Sequence, residues 1–238
     1  MKIENLSFSY QDKKIFEDFS FDFEEGKVTC IMGSSGGGKT TLLNCISGQL
    51  DYNGKICYGQ IGDEKDIKIS YIFQQPRLIP SLTVKENIMF VLDKKNRQEA
   101  NIKAEDMIEK MNLQDCKNSY PSHISGGQAS RTAIARALAI QSDILLMDEP
   151  FKGLDIKLKN YIFELLKPLI SQKSVIFVTH DVEEALSVAD RIVVLSREKN
   201  QAVKIIENIP IDDDKNCRDI YTKKLNDIRK KVFAALLK

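Results

Sequence analysis

Residues 28–46 read VTCIMGSSGGGKTTLLNCI, and the nine from Gly33 to Thr41, GSSGGGKTT, decide how the rest of the chain must be arranged. The apolar residues Val28, Cys30, Ile31 and Met32 precede the glycines, and a helix-like segment from Thr41 to Ile46 follows them. Strand, glycine loop, helix is the setting in which the spacing G-x-x-x-x-G-K-T has a physical purpose. Glycines let the backbone curl until successive N–H groups point into one hollow, and the following helix adds the positive end of its dipole there. Such a hollow suits a polyphosphate. Lys39 is placed to reach a β- and a γ-phosphate, and the Thr40 hydroxyl to ligate Mg²⁺. The plainer alternative, a glycine-rich turn that binds nothing, does not need the four fixed positions and both flanks together.

Composition narrows the setting. The 238 residues carry 35 Lys and Arg against 34 Asp and Glu, a formal charge of +1, which is no electrostatic footprint for nucleic acid. The five cysteines, Cys30, Cys45, Cys57, Cys116 and Cys217, form no C-x-x-C pair and read as reduced thiols of a cytosolic protein. The start, Met1-Lys2-Ile3-Glu4-Asn5, has no apolar core of a secretory signal, so none is expected. No apolar run reaches the ~18 residues needed to span a bilayer. Action at a membrane would therefore go through a partner.

Working outward, Leu6, Phe8 and Tyr10 alternate, as do Phe19, Phe21 and Phe23, with Gln11-Asp12-Lys13-Lys14 as a turn between them. This predicts an antiparallel, half-buried pair of strands. Tyr10 ends the first, where its ring can stack on a nucleotide base or can be an ordinary half-buried side chain. Gly54–Gly59 and Ile69–Phe73 read as two more strands, the second running into Gln74 and a loop bounded by Pro76 and Pro80. From Thr83 to about Gln141 the pattern is helical: Thr83-Val84-Lys85-Glu86 has capping-box spacing, and Ile102, Met107, Ile108 and Met111 follow at helical intervals.

Ile124-Ser125-Gly126-Gly127-Gln128 opens the Ala-rich stretch from Ala129 to Ile140, placing a second anion-suited turn at a helix start. Ile144-Leu145-Leu146-Met147 then runs into Asp148-Glu149. A continuous apolar run implies a buried parallel strand, and its acidic end falls at the sheet edge where ligands bind. Asp148 suits a Mg²⁺ shell and Glu149 suits polarising a water. Val175–Val178 ends in Thr179-His180 at the same edge. Arg191–Leu195 and Ala202–Ile206 read as closing strands.

In order and spacing, Tyr10, GSSGGGKT, Gln74, ISGGQ, ILLMDE, Gly153-Leu154-Asp155 and His180 resemble an ATP-binding cassette ATPase over residues 1–206. The resemblance implies an α/β fold: a P-loop NTPase core with a mainly parallel sheet, an antiparallel β subdomain and an all-helical insert at about 83–141. It implies ATP and Mg²⁺ as ligands. Tyr10 would stack on adenine. Gly33, Ser34, Ser35, Gly36, Gly37, Gly38, Lys39, Thr40 and Thr41 would hold the phosphates, with Thr40, Gln74 and Asp148 at the metal. Glu149 would be the catalytic carboxylate, with Lys39, Gln74 and His180 completing the hydrolytic set. Ser125, Gly126, Gly127 and Gln128 would finish the site of a second ATPase subunit, and Asp155 would lie at that interface.

Gln75 to Asn87, together with Glu149-Pro150-Phe151, is similar to the ATPases of nitrate, sulfonate and taurine importers. That branch implies transmembrane permease subunits, a solute-binding protein reached through them, and a place on the cytoplasmic face of the membrane. Relatives that pull on a division or lipoprotein-release scaffold, or that assist cofactor assembly, are the alternatives. Ile124, Ser130, Lys152 and Gly153 depart from the family pattern. Beyond the resemblance, Asp212-Asp213-Asp214 reads as a linker within 207–238. Arg218–Lys238 carries seven basic and two acidic side chains, with Tyr221, Leu225, Ile228, Val232 and Leu236 at helical spacing. Such a helix can lie on an anionic membrane or pack on the body with its basic side outward.

Overall fold

In a computed structural model of the chain, residues 1–58, 67–92, 96–154, 156–170, 173–198, 201–211 and 222–237 are described. The expectations for Asp155, the Asp212–Asp214 run, Cys217 and Tyr221 fall outside these residues. Two sheets form. The smaller has the order β2 (Lys13–Asp22), β1 (Lys2–Tyr10), β4 (Asn53–Cys57), all antiparallel. The larger has the order β5 (Ile69–Ile72), β6 (Ile144–Asp148), β7 (Ser174–Val178), β3 (Val28–Gly33), β8 (Arg191–Ser196), β9 (Lys204–Pro210). Its strands are parallel except β9, which returns antiparallel along β8.

The unbroken apolar runs of the central strands have a direct cause: both faces are covered. Side chains alternate between faces along a strand, so each run divides residue by residue between two cores. Val28, Cys30 and Met32 of β3, Leu145 and Met147 of β6, and Val175 and Phe177 of β7 enter one core. Ile31, Ile144, Leu146, Ile176 and Val178 enter the other, which the small sheet and α1 (Lys39–Ile46) complete through Phe16, Leu42 and Leu43.

The first core is closed by helices. α2 (Val84–Met89) starts with the expected capping box: Thr83 caps the Glu86 amide and Glu86 reaches back to the Thr83 amide at 2.8 Å. α3 (Arg97–Lys110) and α4 (Gly126–Leu138) pack with it through Val84, Ile88, Ala104, Ile108, Ile134 and Ala135. α5 (Ile156–Ile170) and α6 (Val182–Val188) cover the remaining strands of that face. α7 (Lys223–Leu236) buries Leu225, Ile228, Val232 and Ala235 against α6, β8 and β9, and Arg229 forks onto Glu183 at 2.7 and 2.8 Å. It therefore packs on the body. Several boundaries move relative to the sequence reading: β2 already begins at Lys13, inside the expected Gln11–Lys14 turn, and β4 runs 53–57 rather than 54–59. The loop helix begins at Lys39 rather than Thr41, and the last strand runs 204–210 rather than 202–206.

Candidate functional site

Strands β6, β7 and β3 are adjacent and in register, Asp148 and Ile31 both opposite Val178. The residues just beyond their carboxyl ends consequently lie side by side: Glu149, Thr179-His180 and the glycine loop. The Glu149 amide donates to Val178 O at 2.9 Å and the Thr179 amide to Ile31 O at 3.4 Å, which fixes these turns on the sheet edge. Glu149 itself has φ 45°, a left-handed conformation a residue with a β-carbon adopts rarely and that recurs at functional sites.

A cleft of about 470 Å³ opens at this edge. Its floor is the glycine loop from Ser35 to Thr41, with Gly33. Gly36 and Gly38 have φ 76° and 77°, so the left-handed turns that curl the loop require glycine. A β-carbon on Gly38 would sit 2.8 Å from Val203 Cγ2 and 3.1 Å from Ile15 Cγ2. Gly38 begins α1 with no side-chain cap, so the first N–H groups of that helix face the cleft unsatisfied by any side chain. Lys39 Nζ donates to the carbonyls of Gly33 at 2.9 Å and Ser34 at 2.7 Å. Burial pulls its pKa below the ordinary lysine value, against the opposing pull of Glu149 and Asp148.

The acidic wall comes from β6. Asp148 is 4% exposed and accepts from the Thr40 hydroxyl at 2.7 Å. Burial raises its pKa above the usual carboxylate range; the Thr40 hydrogen bond works the other way and the neighbouring Glu149 adds to the rise. Glu149 accepts from Gln74 Nε2 at 3.0 Å, faces Lys152 at 3.3 Å and lies 3.6 Å from His180 Nδ1. Tyr10 stands at the rim, 46% exposed, its ring edge-on to Phe8 at 4.8 Å. A hydroxyl, a buried carboxylate and an amide oxygen, from Thr40, Asp148 and Gln74, are the hard oxygen donors that suit Mg²⁺.

The cleft thus gathers Tyr10, Gly33, Ser35, Gly36, Gly37, Gly38, Lys39, Thr40, Thr41, Gln74, Asp148, Glu149 and His180. Ser34 does not line it, its carbonyl being taken by Lys39 and the Gly37 amide. Nor does the Ser125–Gln128 turn, which starts α4 in the helical layer. There the Ser125 hydroxyl accepts from the Gln128 amide at 3.2 Å and Gln128 Oε1 accepts from the Ser125 amide at 2.8 Å. Lys13, Ile15 and Lys152 line the cleft without having been singled out. Lys13 is placed by its pairing with Tyr10 across the hairpin, and Lys152 by the left-handed turn at Glu149. Only the latter had a signal, as a departure from the family pattern.

Residues 16–152 match the model of a family described as ABC transporter. An aliphatic sulfonates import ATP-binding protein of Bacillus cereus is 38% identical over 225 residues, 92% of this chain and 87% of that protein. A sulfate/thiosulfate import ATP-binding protein of Synechocystis sp. is 38% identical over 216 residues, 87% of this chain and 61% of that protein. The chain therefore spans about three fifths of the length of the latter relative. Among solved structures, the dimeric post-hydrolysis state of an ATP-binding cassette bound to ADP and Pi matches with TM-score 0.77 and 30% identity, over 90% of this chain and 99% of that one.

Proposed function

The chain belongs to the ABC transporter family as an ATPase domain, and we propose that it is the ATP-hydrolysing subunit of a membrane importer for a small anion or organic solute. One observation carries the ATPase part of this reading: the uncapped start of α1, the Thr40–Asp148 pair and the Gln74–Glu149–His180 cluster face a single cleft. The import part is supported by the import ATP-binding relatives.

The residues divide the work by position. Tyr10 stacks on the adenine at the rim. The amides of Gly36 to Thr41 and the start of α1 take the phosphate oxygens, and Lys39 exchanges its two loop carbonyls for the β- and γ-phosphates. Thr40, Asp148 and Gln74 would hold Mg²⁺, which supplies charge neutralisation at the phosphates when bound. Glu149 accepts a proton from water as the water oxygen attacks the γ-phosphorus and the bond to the bridging oxygen breaks, releasing ADP and phosphate. Gln74 and His180 bracket Glu149 on either side and orient it.

Because the Ser125–Gln128 turn does not line the cleft of its own chain, we assign it to the cleft of a second ATPase subunit. Two chains head to tail would enclose two ATP molecules, and hydrolysis would release them. The loop from Gln74 to Pro80 and the adjoining helices would receive the permease at the cytoplasmic face, with a solute-binding protein on the far side. Among the described residues no helix is long and apolar enough to cross a membrane, which agrees with permease subunits supplying the span. Two experiments test the reading. Glu149→Gln should lower ATP turnover by at least ~10²; turnover that survives would remove Glu149 from its role. The tagged chain, extracted from membranes in mild detergent, should bring down a multispan permease; recovery of soluble proteins alone would overturn the transport assignment.

A further inference from the structure

Two arginines of α4 each donate to two successive backbone carbonyls. Arg131 Nη1 donates to the carbonyls of Met111 and Asn112, both at 2.7 Å, and Asn112 has φ 49°. Arg136, further along the helix, donates from Nη2 to Pro76 O at 3.0 Å and from Nη1 to Arg77 O at 3.1 Å, and Arg77 has φ 44°. In both places a left-handed residue turns two successive carbonyls toward one guanidinium; Arg136 spans them with two nitrogens of its planar fork, whereas Arg131 meets both from Nη1 alone.

The two grips join different things. Arg131 holds α4 to the end of α3, within the helical layer. Arg136 holds α4 to the loop leaving β5 of the central sheet, immediately after Gln74 and Gln75. That loop is sewn to the helices further on. Asn87, fully buried on α2, donates to the carbonyls of Ile79, Leu82 and Thr83, accepts from the Ile79 amide, and lies 3.5 Å from Arg136 Nη1. The Arg77 side chain turns the opposite way, 3.9 Å over the Phe73 ring and 3.4 Å from Gln49 beyond the end of α1. Residue 77 is thus held by its backbone to the helical layer and by its side chain to the nucleotide-binding body.

We propose that Arg136 is a positioning residue for hydrolysis: by gripping the Pro76 and Arg77 carbonyls it makes Gln74, and through it Glu149, follow the placement of α4. The Ser125 turn begins that helix about 16 Å away along its axis, so docking of this turn on a partner subunit is reported mechanically to Gln74. The inference rests on the reading of the Ser125 turn as part of a partner's site.

The test compares ATP turnover and Mg-ATP affinity of the purified chain with those of Arg136→Ala, Arg136→Lys and Arg131→Ala. Arg136→Ala should lower kcat at least about tenfold with Mg-ATP Kd within about twofold, because a small misplacement of a positioned group costs rate rather than binding. Arg136→Lys keeps the charge but not the fork and should recover part of the rate. Arg131→Ala should lower the melting temperature while leaving kcat within about threefold of wild type. A wild-type kcat in Arg136→Ala, or an equal loss in Arg131→Ala, overturns the proposal. If Arg136→Ala does not fold, Arg136→Lys decides: a fall in kcat of at least about threefold at unchanged Kd supports the grip, and wild-type kcat overturns it. ATP turnover indifferent to Glu149→Gln would instead strike the functional reading.

Discussion

Asp148 shows how a single residue carries opposing demands. Burial at the end of β6 raises its pKa, so the folded chain holds the Asp148 proton more tightly than the unfolded chain does. The stability this contributes is fully present below the unfolded pKa, about 3.9, and is lost as pH rises through the folded pKa. At neutral pH the ionised carboxylate is therefore a burden on the nucleotide-free fold. Asp148→Asn should raise the melting temperature of that state at pH 7 by a few degrees, a gain that shrinks toward pH 4, while removing the extra stabilisation by Mg-ATP; thermal melts with and without ligand check both. Gly38→Ala forces a β-carbon to 2.8 Å from Val203 in a left-handed turn and should cost about 1–3 kcal/mol, together with most ATP affinity, measurable by denaturation and nucleotide titration. Lys39, Thr40, Asp148, Glu149 and His180 were legible in the sequence because each sits at a fixed step from a strand end or glycine. Lys13 and Ile15 were not, since hairpin register brings them in, and Lys152, marked only as a departure from the family pattern, enters through the turn at Glu149.

Elements were legible where a local pattern sets them, as in the capping box of α2, the Ala-rich run of α4 and the apolar stripe of α7. What a stripe faces is a tertiary matter. The same basic amphipathic pattern that fits a membrane surface packs on α6, β8 and β9 here, with Leu225 fully buried. Leu225→Ala should cost about 2–5 kcal/mol in urea unfolding. Arg229→Ala should cost less, about 1 kcal/mol, because its forked partner Glu183 is 47% exposed and solvent screens the pair. Equal losses would mean that α7 is held by charge rather than by its apolar face. The start of α1 at Lys39 was missed by two residues because a glycine at the helix start leaves no capping side chain to read.

For the whole molecule, the division of β3, β6, β7 and β8 between two cores explains their unbroken apolar runs, of which the sequence marked that of β6 as a buried parallel strand and that of β8 only as a closing one. Nothing in those runs gives strand order. That β7 lies between β6 and β3, bringing His180 between the carboxylates and the glycine loop, follows only from the assembled sheet. The same assembly leaves the Ser125 turn outside its own cleft, which is the reason for assigning it to a second chain. The most direct test is size-exclusion chromatography with light scattering on Glu149→Gln, in saturating Mg-ATP and in nucleotide-free buffer, with bound nucleotide counted in the eluted peak. Two nucleotides in a dimer that reverts to monomer without ATP is the expected result. A monomer that holds one ATP under saturation would contradict the shared site.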